Sequence, residues 1–156
     1  MVQSDGELEV IWQPLYDTVH YKHGRYLWRF FTEPLSDKKT LFETNMECTA
    51  QLCSPKAFLV EGFTIHGNAD LLAHCVANFG VAGKSYQLIA PASRLLVTAS
   101  HAYRMERRQV GYICEQPLLL TPAATFFFEL TMYDPPRVPK HDIRVELDGF
   151  LYRPTV

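Results

Sequence analysis

The clearest pattern of apolar and polar positions lies in residues 142–156, which read DIRVELDGFLYRPTV. Apolar residues alternate there with charged ones along Ile143, Arg144, Val145, Glu146, Leu147 and Asp148. A period of two residues is typical of a strand with one buried face and one face in water. Asp148-Gly149 then offers a turn or bulge before a second apolar stretch, residues 150–152. We therefore expect the sequence to end inside a sheet.

The same patterning predicts short strands along most of the chain, bounded by Gly, Pro and Asn. The predicted strands are Leu8–Trp12, Tyr26–Phe31, Lys39–Asn45, Ala57–His66, Ser85–Ile89, Leu95–Ala99, Gln109–Cys114, Phe126–Tyr133 and Ile143–Tyr152. Both faces of Ala57–His66 are largely apolar, which favours a central position in a sheet. Strict alternation would place Leu59, Glu61, Phe63 and Ile65 on one face, and Phe58, Val60 and Thr64 on the other.

One segment, Asp70–Phe79, fits a helix, although an irregular connection fits it equally well. Asn68 or Asp70 could cap its start and Gly80 could end it. Its apolar side would consist of Leu71, Leu72, Cys75 and Val76. Many short strands with Pro- and Gly-rich connections predict an all-β protein. We predict a single jelly-roll β-sandwich, one domain over residues 1–156, with one short helix or irregular connection; an immunoglobulin-type sandwich would give a similar strand count.

Composition narrows the classes of function. The 156 residues are enough for one domain with a substantial core, and 13% of them are aromatic. A formal charge of −2 and a pI near 6.3 give no overall basic field for holding nucleic acid. The longest apolar run, Leu118–Phe128, is too short to span a bilayer, and residues 1–10 lack the pattern of a secretory signal. We expect a soluble protein, without a transmembrane segment, that is synthesised in a cytoplasm.

The cysteines and histidines are the candidate metal ligands. Cys48 and Cys53 have the spacing C-x4-C, but no second pair follows as in a zinc ribbon. For the four cysteines we favour free, mostly buried thiols over a metal site or a disulfide. A cupin-like metalloenzyme could be built on His20, His23, His66 and His74. The H-x-H with a nearby glutamate that marks cupin enzymes is missing from the sequence, so we predict no metal site and no cofactor.

Motifs for nucleophilic or phosphate chemistry are also missing from the sequence. Residues 80–85 read GVAGKS, which ends like a phosphate-binding loop but lacks its earlier glycine. The residues that follow, Tyr86–Ile89, have a strand pattern where such a loop would open a helix. We interpret 80–85 as a turn with glycines at positive φ, and we predict that the protein is not an enzyme.

Two segments resemble capsid-type structural proteins of small icosahedral bacteriophages. The matched residues are Glu43-Thr44-Asn45-Met46, Gln51-Leu52, Pro55 and Phe58-Leu59-Val60 in the first segment, and Arg144–Pro154 in the second. In that group a similar first segment precedes a central strand, and a similar second segment closes the chain. Many of these capsid proteins carry two jelly rolls, whereas this chain can hold one. A single-barrel shell subunit, a vertex protein and a minor virion component therefore all stay open.

The resemblance implies a non-enzymatic virion structural protein, a capsid or vertex subunit whose partners are copies of itself and other virion proteins. Aromatic residues are favoured at interface cores, and the interface candidates are Trp12, Trp28, Tyr103, Tyr133 and Tyr152. The monomer core is the alternative place for each of them. A basic patch of Arg104, Arg107 and Arg108 could face packaged nucleic acid, although we favour a solvated face. The alternative function is a carbohydrate- or receptor-binding β-sandwich that stacks Trp and Tyr on sugars.

Overall fold

The computed structural model describes residues 7–96 and 111–154. Strands are the main regular element of these residues, which confirms the predicted all-β class. The strands are β1 (Leu8–Trp12), β2 (Leu15–Tyr21), β3 (Leu27–Phe30), β4 (Ala57–His66), β5 (Cys75–Val81), β6 (Lys84–Ile89), β7 (Tyr112–Leu120), β8 (Phe126–Met132) and β9 (His141–Pro154). The helical elements are α1 (Ala69–Leu72) and a single 3₁₀ turn, Ala92–Leu95. Within the described ranges no helix is long and apolar enough to cross a membrane.

Strand pairing forms the sandwich. In sheet 1 the order is β1-β9-β4-β7, and β2 also pairs with β9. In sheet 2 the order is β3-β8-β5-β6. The antiparallel pairs β2–β9, β3–β8, β4–β7 and β5–β6 are nested from the ends of the chain inward. This nesting is the jelly-roll winding, so the predicted topology is confirmed.

Aromatic rings pack against one another in the core between the two sheets. Phe63 of β4 contacts Phe79, Tyr112 and Phe128, with ring centroids 5.1, 6.4 and 6.0 Å apart. These separations fall in the range of favourable aromatic pairs. The alternation predicted for residues 143–147 is confirmed, because the odd-numbered residues of β9 are buried there.

Strand β4 lies between β9 and β7, as predicted for a central strand. A register shift between Val60 and Gly62 marks a bulge in it. One extra residue in a strand reverses the alternation of side chains beyond it. Phe58, Val60, Phe63 and Ile65 are consequently all buried in the core. The predicted division of β4 into two faces is therefore wrong beyond the bulge.

Half of the predicted helix 70–79 is a strand. The predicted cap is confirmed, since the Leu71 N–H donates to Asn68 Oδ1 at 3.1 Å. The helix ends at Leu72, and β5 then pairs with both β6 and β8. The side chains of β5 that face the core are Cys75, Ala77 and Phe79. The apolar residues of this segment fit the period of a helix and that of a strand almost equally well. Pairing with β6 and β8 makes the segment a strand.

Three further strand predictions need correction. Strand β2 is missing from the predicted set because polar Asp17 and Thr18 interrupt its apolar pattern, although both are buried. Residues 39–45 belong to the connection between β3 and β4, where Thr44 makes an isolated bridge to Asp17. Within the predicted strand 95–99, Leu95 ends the 3₁₀ turn and Leu96 bridges to a residue of β4. Its remaining residues lie outside the described ranges.

A buried ion pair holds the connection 31–56 against β2. Lys39 Nζ lies 2.7 Å from Asp17 Oδ1, and the Phe31 N–H donates to Asp17 Oδ2 at 2.7 Å. Burial raises the pKa of Asp17, and the hydrogen bonds and charge that these two residues supply oppose that rise. The pair explains how a carboxylate can occupy the interior position that the sequence pattern does not predict.

The same connection contains a disulfide between Cys48 and Cys53, whose Cα atoms are 5.6 Å apart. The prediction of free thiols is wrong for this pair. A bridge between Cys48 and Gln51 folds the segment back on itself and brings the two cysteines together. Spacing alone did not show that turn. Cys75 and Cys114 are free thiols, as predicted.

Candidate assembly surface

The outer face of sheet 1 carries an apolar patch at one end. Phe150 of β9 pairs with Trp12 of β1 on one side and with Leu59 of β4 on the other. Directly paired residues of antiparallel strands project to the same face of a sheet. By this rule the patch consists of Val10, Trp12, Leu59, Leu119, Phe150 and Tyr152.

This apolar patch is partly open to water. Val10 and Leu119 are exposed, and the other members are half-buried. The Trp12 ring packs edge-on against Phe150, with the centroids 5.3 Å apart and the planes at 76°. A contiguous apolar patch on a soluble protein is a mark of an interaction site, whereas single exposed apolar residues are ordinary.

A polar cluster occupies the other end of the same face. Its members are Thr64, His66, Arg144, Glu146 and Asp148, brought together by the register of β4 and β9. The Glu146 carboxylate lies 3.2 Å from Arg144 Nε and 3.6 Å from His66 Nε2. Burial opposes ionisation of Glu146, but the interactions with His66 and Arg144 outweigh it and lower the pKa of that carboxyl. The same interaction with Glu146 raises the pKa of His66.

Asp148 is a deeply buried carboxyl of the polar cluster, at 3% exposure. Thr64 Oγ1 donates to Asp148 Oδ2 at 2.6 Å and accepts from the Gly111 N–H at 3.1 Å. Burial raises the pKa of Asp148 to about 7, and the Glu146 charge adds to this rise while the Thr64 hydrogen bond opposes it. The Thr64 hydroxyl of β4 therefore links Asp148 of β9 to Gly111, the residue before β7, by hydrogen bonds.

The opposite pKa shifts of Glu146 and Asp148 resemble those of catalytic acid–base pairs. Here one oxygen of each carboxyl is engaged within the sheet. Glu146 accepts from Arg144, and Asp148 accepts from Thr64 while being buried. We interpret the polar cluster as a structural network of hydrogen bonds and ion pairs between β4 and β9 at one end of the outer face.

Neighbouring residues extend this network to the strand end. The Arg144 guanidinium lies 4.0 Å from the centre of the Tyr16 ring, which is a cation–π contact. His20 bridges Asp142 and Glu43, with ring nitrogens 2.5 and 3.1 Å from the two carboxylates. The hydrogen bond to Asp142, and that to Glu43, raise the pKa of His20.

Two of the predicted interface residues lie together on this surface. Trp12 and Tyr152 belong to the apolar patch, two residues apart in register along β9. Tyr133 is exposed but lies after β8, where its N–H donates to the His74 carbonyl at 2.8 Å. It belongs to a different part of the molecule. Tyr103 and the basic patch Arg104, Arg107 and Arg108 lie outside the described residues.

The prediction that Trp28 is an interface residue is wrong. Its side chain is 5% exposed and belongs to the hydrophobic core. The indole N–H donates to the Arg25 carbonyl at 3.0 Å, and the Arg25 guanidinium lies 4.7 Å from the ring centre. With this ring buried and the Trp12 ring packed on Phe150, the indoles give little support to the sugar-stacking alternative.

Four members of the apolar patch were not predicted from the sequence: Val10, Leu59, Leu119 and Phe150. Alternation carried through Gly149 would have placed Phe150 on the outer face of β9. The other three could be placed on this face only from the strand register, which the sequence does not reveal.

A polar cleft of about 470 Å³ lies between β2, β3 and the connection 31–56. Three of its cationic side chains are engaged within the chain. Arg29 pairs with Glu129 at 3.2 Å, Lys39 pairs with Asp17, and Arg25 covers Trp28. These pairings give no support to an anion site there. Among residues 7–96 and 111–154, no group of three His, Cys, Asp or Glu side chains is arranged to hold a metal ion.

Comparison of this chain with protein families, with curated proteins and with solved structures gives no match. The surface must therefore be interpreted from its own geometry.

Proposed function

We propose that this protein is a non-enzymatic virion structural protein, a capsid or vertex subunit that self-assembles through the outer face of sheet 1. The observation that carries the proposal is the apolar patch, in which Val10 and Leu119 are exposed on a regular sheet face. Its partners would be copies of itself and other virion proteins, and its location would be the virion.

The energetic argument favours many weak contacts. Burying a large apolar side chain fully contributes about 1.5–3 kcal/mol, and most of the patch is already half-buried. Association also costs translational and rotational freedom, on the order of several kcal/mol or more. A single contact through this patch would therefore be weak, and a closed assembly gains stability because each copy is held at several contacts at once.

Two further observations support a virion role. The segment that resembles bacteriophage capsid proteins, Arg144–Pro154, lies on β9, the strand that supplies both ends of the proposed surface. The Cys48–Cys53 disulfide fits a protein that persists outside a reducing cytoplasm, as virion surface proteins do. Fold alone would not carry the proposal, since sandwiches host many functions.

Two exposed leucines provide a matched test. Leu119 is 51% exposed in the apolar patch of sheet 1, and Leu88 is 65% exposed on the outer face of sheet 2. We expect Leu119→Glu to weaken self-association at least tenfold, because it places a charge where apolar surface becomes buried. Leu88→Glu should leave association within about threefold of the original chain.

Light scattering across a concentration series would measure both variants, with circular dichroism to check that each is folded. Equal association of the Leu119→Glu variant and the unchanged chain would contradict the choice of surface. A chain that stays a single subunit at every concentration would contradict the proposed function itself.

A further inference from the structure

An open cleft at one end of the sandwich is lined by cationic side chains. It has a volume of about 560 Å³ and lies between the turn after β2 and the segment before β9. Among its described lining residues three are cations and none is a carboxylate, so we call it the basic cleft. These residues are Lys22, His23, Arg137, Val138, Pro139 and Lys140. An adjoining cleft of about 420 Å³ shares Lys22 and Lys140 with it.

The register of sheet 1 places two of these cations side by side. Tyr21 and His141 form the last pair of β2 and β9, so Lys22 and Lys140 are the next residues outward on the two strands. Both lysines line the same two clefts. Like charges directly opposite each other on neighbouring strands are destabilising. The fold therefore holds a repulsion at this point that an anion in the basic cleft would relieve.

The cations of the basic cleft have no acidic partner within the described part of the chain. Lys22, Arg137 and Lys140 are exposed, and none of them takes part in an ion pair there. The carboxylate of the adjoining cleft, Asp142, is already engaged, because it lies 2.5 Å from His20 Nδ1. Three positive charges in one concave surface are therefore left to solvent or to a ligand.

The sign of the basic cleft is opposite to that of the whole chain. The formal charge of the chain is −2, whereas the described lining of the cleft carries three cations. At physiological ionic strength, exposed charges separated by more than about 8 Å are largely screened from each other. An anion in the cleft therefore meets the local positive charges rather than the net charge of the chain.

The segment 135–140, which carries two of the cations, is held in place on the body of the protein. It contains three prolines, each of which fixes its backbone φ. Val138 packs against the core. His141 Nδ1 donates to the Pro139 carbonyl at 2.9 Å, and the His141 ring lies 5.3 Å from the ring of buried Tyr21. Because the backbone of the segment is already ordered, a ligand loses less of its binding energy to ordering it.

We propose that the basic cleft binds the phosphate backbone of nucleic acid, without preference for its sequence. This inference rests on the proposed function, since a virion subunit has packaged nucleic acid within reach. Lysine is depleted at protein–protein interfaces, whereas interfaces with nucleic acid are strongly positive. Contacts of lysine and arginine with phosphates carry no sequence information. The described lining of the cleft includes no Phe, Tyr or Trp on which a base could stack.

The basic cleft and the apolar patch lie toward opposite ends of β9. His141 begins this strand beside the cleft, and Tyr152 belongs to the patch near its other end. At about 3.3 Å per residue the two positions are roughly 36 Å apart. One copy can therefore contact its neighbours through the patch while its cleft holds nucleic acid. Three cations in one copy bind weakly, and the many copies of an assembly on one strand multiply that affinity.

The salt dependence of oligonucleotide binding tests the number of phosphate contacts. Fluorescence anisotropy of a labelled oligothymidylate of about 20 nucleotides would follow binding to the full chain. Each phosphate contact with a single strand contributes about −0.7 to the slope of log K against log salt, so three cations predict a slope of about −2. Raising the salt from 50 to 200 mM should then weaken binding about 20-fold. A mixed-sequence oligonucleotide of the same length should bind within about twofold of oligothymidylate.

Two charge-matched double variants test the location of the site. Lys22→Gln with Lys140→Gln removes two cations of the basic cleft, and Lys84→Gln with Arg94→Gln removes two exposed cations elsewhere. Each pair of changes removes two positive charges from the net charge of −2. We expect the first variant to bind at least tenfold more weakly at 50 mM salt, with a slope of about −0.7. The second should stay within about threefold of the unchanged chain, and circular dichroism would check that both are folded.

The outcomes separate this inference from the proposed function. Equal binding of the oligonucleotide by the two double variants overturns the inference. So does tighter binding of poly-glutamate than of oligothymidylate at the same two lysines, which would identify an acidic polypeptide as the partner. Light scattering without nucleic acid measures self-association separately, so a chain that assembles without this binding keeps the proposed function alone. A chain that binds through the basic cleft but never assembles supports the nucleic-acid site and contradicts the proposed function.

Discussion

The outer faces of the two sheets differ in how deeply their polar groups are buried. On sheet 2 the polar groups of the face pair side by side at the surface, with Arg29–Glu129 at 3.2 Å and Ser85–Asn78 at 2.6 Å. On the outer face of sheet 1 the Asp148 carboxyl is buried, and apolar side chains face water at the other end. Sheet 2 also exposes single apolar side chains, such as Leu88, but the polar pairs of its outer face lie at the surface. Under the proposed function, the apolar side chains of sheet 1 would complete their packing against another molecule.

Of the substitutions that distinguish the two faces, Asp148→Asn should change the free energy of unfolding most. Burial raises the pKa of Asp148 from 3.8 to about 7, so the folded chain holds a proton that the unfolded chain has released. Stability from this group is full below pH 3.8 and is lost as pH rises toward 7. At about 1.4 kcal/mol per pKa unit the loss is about 4 kcal/mol. Asparagine cannot ionise and can still accept from Thr64.

We therefore expect the Asp148→Asn variant to be more stable than the unchanged chain by up to about 4 kcal/mol at pH 8, and nearly equal at pH 4. Chemical denaturation at both pH values would measure this. Glu129→Gln, in the exposed pair of sheet 2, is the control and should change stability by about 0.5 kcal/mol or less. A variant without extra stability at pH 8 would show that Asp148 is ionised in the folded chain at little cost.

A smaller difference in stability is expected between two glycine substitutions, one in β9 of sheet 1 and one in the turn that joins two strands of sheet 2. A Cβ added at Gly149 of sheet 1 would lie 1.7 Å from the Leu59 carbonyl oxygen, so the β4–β9 pairing would have to open. We expect Gly149→Ala to lower the free energy of unfolding by about 3 kcal/mol. Gly83, in the β5–β6 hairpin, has φ +76° with open space around it. Gly83→Ala should cost about 1 kcal/mol, from the backbone conformation alone.

Urea denaturation would compare the two glycine variants under one condition. If both changes cost the same, the tight contact between β9 and β4 would not be a constraint on sheet 1. Both variants should keep the all-β circular dichroism spectrum, because neither position is needed for the winding of the sheets.

Much of the fold could be predicted from the sequence. Alternation identified β9, and a nearly all-apolar segment identified β4 as central, because burial on one or both faces leaves a direct mark on sequence. The turn near Gly83 was also predicted, since a positive φ favours glycine. The number of short strands and their connections predicted a β-sandwich, and the jelly roll was favoured although an immunoglobulin-type sandwich fitted a similar strand count.

The rest depended on pairing that sequence patterns do not encode. Strand β2 escaped prediction because the buried charge of Asp17 needs Lys39 from a distant connection. The bulge in β4 reversed its faces, and β5 shared its apolar positions with a helical pattern. The apolar patch could not be predicted for the same reason. Leu59 and Leu119 lie beside Phe150 because of the strand register, which the sequence does not reveal. Residue type alone also misled, since Trp28 was predicted at an interface and lies in the core.

The most direct test of the account is the mass of the native protein across a wide concentration range, by light scattering with electron microscopy of the same samples. The account predicts a mass that rises from that of one 17.9 kDa chain to that of larger regular particles. A constant mass of 17.9 kDa up to the highest concentration, with no particles in the images, would contradict it.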